Sequence, residues 1–166
     1  MKHEPASEMR RRSGLLGFLG LSGANKLVLA ESLVTLALVS LAIRLLPFRL
    51  VVKAARGGEA NPAATPEERT SVIRCRWAVD KWSDRVPWRT VCFQKGLALH
   101  MMLRRRGIAS ILHYGVMQNR ERGLTAHVWV SECDRIIMGG ETAADYQELA
   151  CFPAGGAALS EAGSRR

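Results

Sequence analysis

Cysteine and histidine are the side chains here that can serve as nucleophile and base near neutral pH, and there are few of each: Cys75, Cys92, Cys133 and Cys151, and His3, His100, His113 and His127. Cys92 opens a stretch from Val91 to Gly107 that reads as one helix. Apolar residues recur at Cys92, Leu99 and Leu103, and again at Phe93, Leu97 and Met101, which gives a wide apolar surface at helical period. Arg104, Arg105 and Arg106 crowd the last turn, where cations suit the exposed carbonyls, and Gly107 is a natural stop. A thiol in the first turn lies where the helix dipole and free N–H groups favour thiolate, the nucleophilic form of cysteine. His127 falls in an alternating segment read as a strand. If that sheet lies across the helix, the order helix, strand, strand makes Cys92 and His127 neighbours. Imidazole would then take the thiol proton, the thiolate would attack a carbonyl, and the imidazolium would protonate the leaving amine. Backbone N–H groups at the helix start, that of Cys92 included, could hold the oxyanion. The same residues also fit a buried structural cysteine and a cross-strand histidine.

The competing groups are weaker candidates. His113 shares a strand face with Ile111 and Gly115 and reads as structural, whereas His100 lies two helical turns from Cys92, about 12 Å by the helical rise. Cys75 shares a helix face with Val72, Val79 and Trp82, so it reads as an inert core residue. No CxxC pair and no His pair at metal-ligand spacing occurs, which argues against structural zinc and a disulfide framework and fits a reducing cytoplasm.

The elements that must position these residues follow from local signals. Residues Met1 to Asn25 are basic, then apolar and Gly-rich, and read as a frayed start. Lys26 to Arg56 is the most apolar region, but Glu31 and Arg44 leave an uncharged run, Ser32 to Ile43, shorter than the roughly 18 apolar residues of a membrane span. A buried or partner-covered helix is expected there, with membrane contact less favoured. Pro47 breaks it, a short basic amphipathic helix follows from Phe48, and Gly57 to Ala64 has linker composition. Thr65, Pro66 and Glu68 form a helix start with a capping box, and that helix should end before Pro87. Thr90 is the candidate N-cap of the Cys92 helix. Alternation then predicts strands over Ser110 to Met117, Thr125 to Glu132 and Arg135 to Met138, the last two joined by a turn at Cys133-Asp134. Helices followed by an antiparallel meander indicate an α+β domain. The expected division is an N-terminal helical arm and linker over 1–60, the chemistry-bearing domain over 61–153, and a disordered tail over 154–166.

With 166 residues the chain can bury a real core, and its formal charge of +9 suits an anionic partner or surface. The arginines are scattered, and no zinc finger, helix-turn-helix or aromatic RNA platform is present, so no nucleic-acid partner is expected.

From about Val72 to Phe152 the chain resembles the transglutaminase-like cysteine peptidases that remove leader peptides in lasso-peptide biosynthesis. The matching segments are Pro87-Trp88-Arg89-Thr90-Val91-Cys92, Leu97-Ala98-Leu99, Leu103 to Ile108, Leu112-His113-Tyr114-Gly115-Val116, Ala126-His127-Val128-Trp129-Val130 and Ile137 to Glu141. Arg44 to Arg49 is also similar to the N-terminal part of the family's stand-alone protease subunits. The resemblance implies a papain/transglutaminase-like fold with Cys92 as nucleophile and His127 as base. It further implies a precursor peptide as substrate, with a leader-recognition protein and an ATP-dependent lasso cyclase as partners. No phosphate-binding Gly-rich loop occurs, so no cofactor is expected on this chain and ATP would belong to the cyclase. Relatives place an acid just after the third strand, where this chain has Gly139. Glu141 is then the candidate to orient His127, with Asp145 possible and Asp134 too far away at the turn tip. Transglutaminase-type acyl transfer and a non-catalytic binding subunit are the alternatives.

Overall fold

The structure, a computed structural model, describes residues 20–55, 65–119, 123–132 and 135–153. The expected linker, Cys133-Asp134 turn and tail lie outside those residues, as does the expected frayed start up to residue 19, but its last residues, Gly23 to Asn25, are helical rather than frayed. Ser22 accepts the Asn25 N–H and opens helix α1, Gly23–Leu45, which begins earlier than the apolar pattern alone indicates. Pro47 cannot continue that ladder, and α2, Phe48–Ala55, starts immediately after it. The capping box of α3, Pro66–Ser83, is fully formed. Thr65 Oγ1 accepts the Glu68 N–H at 3.3 Å, and Glu68 Oε2 accepts the Thr65 N–H at 2.6 Å. Helix α4 spans Cys92–Arg104, ending before Arg105 and Arg106, and Gly107 takes φ +71° to leave it. Its entry differs from expectation. Val91 is the N-cap, its N–H donating to Gln94 Oε1 at 2.8 Å, while the Thr90 hydroxyl turns back to the Ser83 carbonyl at 2.7 Å. Thr90 therefore ties the Cys92 segment to the end of α3.

The architecture is α+β, as expected. Strands β1 (Ile111–Asn119), β2 (Gly123–Glu132), β3 (Arg135–Met138) and β4 (Gln147–Phe152) form one antiparallel sheet of order β3-β2-β1-β4. β4 was not visible in the sequence pattern. Gln147-Glu148-Leu149-Ala150-Cys151-Phe152 lacks clean alternation because it is an edge strand whose pairing to β1 slips between Tyr114 and Gly115. A single-turn 3₁₀ helix, Ala143–Asp145, carries the chain from β3 toward β4.

One apolar core joins Leu36 and Val39 of α1, Val51 and Ala55 of α2, Val72, Cys75 and Val79 of α3, the inner face of α4, and Leu112, Val128 and Val130 of the sheet. Polar bonds hold the first helices to this core. Trp82 Nε1 donates to the Leu29 carbonyl at 2.9 Å, Arg105 donates to Thr35 Oγ1 at 2.7 Å, and Arg106 pairs with Glu31. The Arg106 guanidinium holds the Glu31 carboxyl below its ordinary value. α1 is long and apolar enough to cross a membrane by length and composition, and a third of its most apolar window is buried.

Candidate active site

Cys92 is the first residue of α4, half-buried, with a free thiol. The helix is seated on the sheet by Gly96, one turn further on. A Cβ at Gly96 would stand 2.8 Å from Val128 Cγ1 and 3.0 Å from Leu112 Cδ1, so the absence of a side chain lets α4 approach β2 and β1 closely. Val128 follows His127 directly. The elements that carry the two proposed reactive residues are thus packed against each other at adjoining positions.

Side chains alternate along β2, so Val128 and Val130 meet the helix while His127 and Trp129 share the other face. β3 pairs with β2 only over Val130, Ser131 and Glu132, and past that ladder Gly139 lies against Val128 and Trp129. Beyond Met138 the chain bends at Gly139, φ +74°, and crosses over β2. A Cβ there would lie 2.6 Å from the Val128 carbonyl oxygen. This crossing brings the Gly139 carbonyl within 2.8 Å of His127 Nε2. A carbonyl only accepts, so Nε2 carries a proton, and in the neutral ring Nδ1 presents a lone pair. The ring is flanked by Trp129, with centroids 6.2 Å apart, and by Tyr146 at 5.1 Å.

The carboxylate expected to orient the ring is absent from this bond. Glu141 is exposed, as is Asp145, and the acceptor is the main chain of Gly139, the position at which the resemblance anticipates an acid. No side-chain pattern announces such a contact. Tyr146 was equally invisible, since nothing in sequence placed it beside His127. The remaining histidines lie elsewhere in the fold. His100 is fully buried, its Nδ1 bonded to Ser110 Oγ at 2.8 Å and its Nε2 to the Ala55 carbonyl at 3.1 Å, and burial pulls its pKa down to about 4. His113 lies on β1 between Glu148 and Ser131. Cys75 is buried in the core, where desolvation raises its pKa and disfavours thiolate. Trp88, four residues before Cys92, has a buried indole N–H without an acceptor. Among the described residues no group of three or more His, Cys, Asp or Glu side chains could hold a metal ion.

Comparison with known families matches the chain to the transglutaminase-like superfamily over residues 35–151, well over half of its length. The matched region begins inside α1 and ends in β4, so it takes in both Cys92 and His127. No curated protein and no solved structure gives a significant match.

Proposed function

We propose, from the premise that this chain belongs to the transglutaminase-like superfamily, that it is a cysteine peptidase acting through Cys92 and His127. The observation that carries this reading is the hydrogen bond from His127 Nε2 to the Gly139 carbonyl. It fixes the tautomer in which Nδ1 can accept a proton, as a base must. The mechanism requires the thiol to reach the imidazole from α4, which packs on β2 through Val128, the residue after His127. Nδ1 takes the Sγ proton, Sγ bonds to the peptide carbonyl carbon, and the tetrahedral oxyanion is held by N–H groups at the start of α4. Collapse breaks the C–N bond as the imidazolium gives its proton to the departing amine. Water, deprotonated by the same nitrogen, then hydrolyses the thioester and frees the thiol.

The substrate we infer is the leader of a ribosomally made lasso-peptide precursor, on the strength of the motif resemblance. The partners are a leader-recognition protein and the ATP-dependent cyclase, with the reaction in the cytoplasm. The exposed apolar face of α1, including Val34, Leu38 and Leu41, is the surface on which the recognition protein docks. Mixing this protein with precursor, recognition protein, cyclase and ATP, and following leader release by mass spectrometry, tests the reading. Cleavage should vanish in Cys92→Ala and His127→Ala, and undiminished cleavage by Cys92→Ala would overturn the mechanism. Incorporation of an added amine at the cut carbonyl in preference to water would assign acyl transfer instead.

A further inference from the structure

β1 sets His113 directly opposite Trp129 of β2. The imidazole and indole are parallel within 2°, with centroids 5.3 Å apart. Both nitrogens of His113 are engaged, Nδ1 with Glu148 Oε2 and Nε2 with Ser131 Oγ, each at 2.7 Å. An ionised carboxylate only accepts, so Nδ1 donates. The Ser131 hydroxyl can donate to a neutral ring or accept from a charged one. The plane of His113 is therefore fixed in either protonation state. Beside it stands Gly115, where a Cβ would come within 2.8 Å of the indole atoms Cη2 and Cζ3, so the missing side chain is what lets Trp129 lie flat over β1. The indole in turn neighbours His127, and Tyr146 flanks His127 as well.

Glu148, His113 and Ser131 have the distances of a serine-nucleophile relay, but not its setting. Ser131 is only 6% exposed and lies between β1 and β3, so the strand's backbone donors are committed to ladders and no oxyanion pocket can form around it. What the arrangement provides is stiffness beside the base.

The geometry points to His113 as a positioning residue for His127. Anchored by Glu148 and Ser131, it clamps the Trp129 indole and so fixes the plane in which His127 meets the Gly139 carbonyl. The indole face also favours the imidazolium formed during catalysis, and the Glu148 carboxylate offsets any second positive charge on the far side of the same indole. The ionisable groups turned toward His113 are Glu148 and its ladder partner Cys151 on β4, with His127 beyond the indole.

This inference rests on His127 being the base, yet it can be read without any substrate. Long-range proton–nitrogen correlation spectra of the full chain should show His127 as the Nε2–H tautomer. His113→Ala should give a mixed tautomer, with kcat lower by roughly tenfold and KM within about twofold, as expected when a reacting group loses alignment, and with a displaced acid limb of the pH–rate profile. His113→Phe keeps a flat ring on the indole and should restore most of the wild-type tautomer and kcat. Equal losses in the Ala and Phe variants would overturn the stacking route. So would a folded His113→Ala whose His127 spectrum and pH profile match wild type. Should His113→Ala not fold, His113→Leu, which fills the site without a flat ring, is read in the same way, and an unaltered His127 spectrum there would overturn the proposal. Cleavage by Cys92→Ala, by contrast, would defeat the peptidase reading and leave these spectra interpretable.

Discussion

A carbonyl oxygen can hold the Nε2 proton of His127 as a carboxylate would, but it brings no net charge to stabilise the imidazolium. Glu141, exposed and outside that bond, should then be dispensable for orientation. Glu141→Gln is expected to keep kcat within about twofold, the effect of a surface change away from the reacting groups. Leader-cleavage kinetics will show this, and a loss comparable to that of His127→Ala would return the role to the carboxylate. Gly139→Ala is the converse test. Its φ of +74° and the 2.6 Å approach to the Val128 oxygen should cost about 1–3 kcal/mol and shift the carbonyl, lowering both the urea midpoint and kcat. A folded Gly139→Ala with wild-type kcat would exclude the carbonyl from the mechanism. The proposed cysteine and histidine stand out in the sequence because their side-chain types suit nucleophile and base and the order of elements makes them neighbours. The orienting group was not, because any residue supplies a carbonyl and only the path of the chain decides where it points.

His100 gives a pH prediction at the same scale. Its pKa falls from 6.5 to about 4 on folding, so the unfolded chain binds more protons between those values and stability rises with pH across that window. Stability should be intact above pH 6.5 and decline toward pH 4, by about 3 kcal/mol at the limit from this group alone. Urea midpoints at pH 7 and pH 4.5 measure the decline. His100→Gln should remove most of it, and an equal decline in that variant would assign it to other groups.

At the scale of elements, the contact that seats the Cys92 helix on the sheet is a glycine. Gly96 costs α4 some intrinsic helicity, which is recovered by close packing on Val128 and Leu112. Gly96→Val should push the helix off β2, destabilise the fold by about 1–3 kcal/mol through overpacking, and lower kcat more than the stability loss explains. Comparing kcat at a temperature where the variant remains folded separates the two effects, and unchanged kcat there would show that helix seating does not align the thiol. The elements easiest to read in sequence were those with local signals, such as the Thr65-Pro66-Glu68 helix start and the alternation through His127. β4 is not legible in sequence because its stability comes from pairing with β1 and burying Phe152, which no short window of sequence displays. Val91 is not recognisable as an N-cap for a related reason: the Gln94 side chain supplies the cap, and Thr90 is drawn away to the Ser83 carbonyl.

At the scale of the molecule, α1 divides its residues between two duties. Leu29, Leu36 and Val39 enter the core, while Leu27, Val34, Leu38, Leu41 and Leu45 remain exposed, and a cleft of about 570 Å³ opens between α1, α2 and α4, lined by Leu38, Leu50 and Met101 among others. That cleft is lined by residues of α1, α2 and α4 and of their ends, and includes neither Cys92 nor His127. The apolar pattern of α1 was plain in the sequence. The assignment of leucines to core or surface required the packing against α3 and α4. If the exposed stripe receives the recognition protein, Leu41→Glu should leave the urea midpoint within about 0.5 kcal/mol of wild type, as for other exposed positions, yet lower leader-dependent cleavage by tenfold or more, roughly what loss of one apolar anchor does to an interface. Raising the concentration of the recognition protein should restore the rate, because the defect lies in association and the chemistry is intact. A Leu41→Glu variant that processes precursor normally at limiting recognition protein would remove this face from the complex. Co-sedimentation of the wild type, but not the variant, with phospholipid vesicles would assign the stripe to a membrane surface instead.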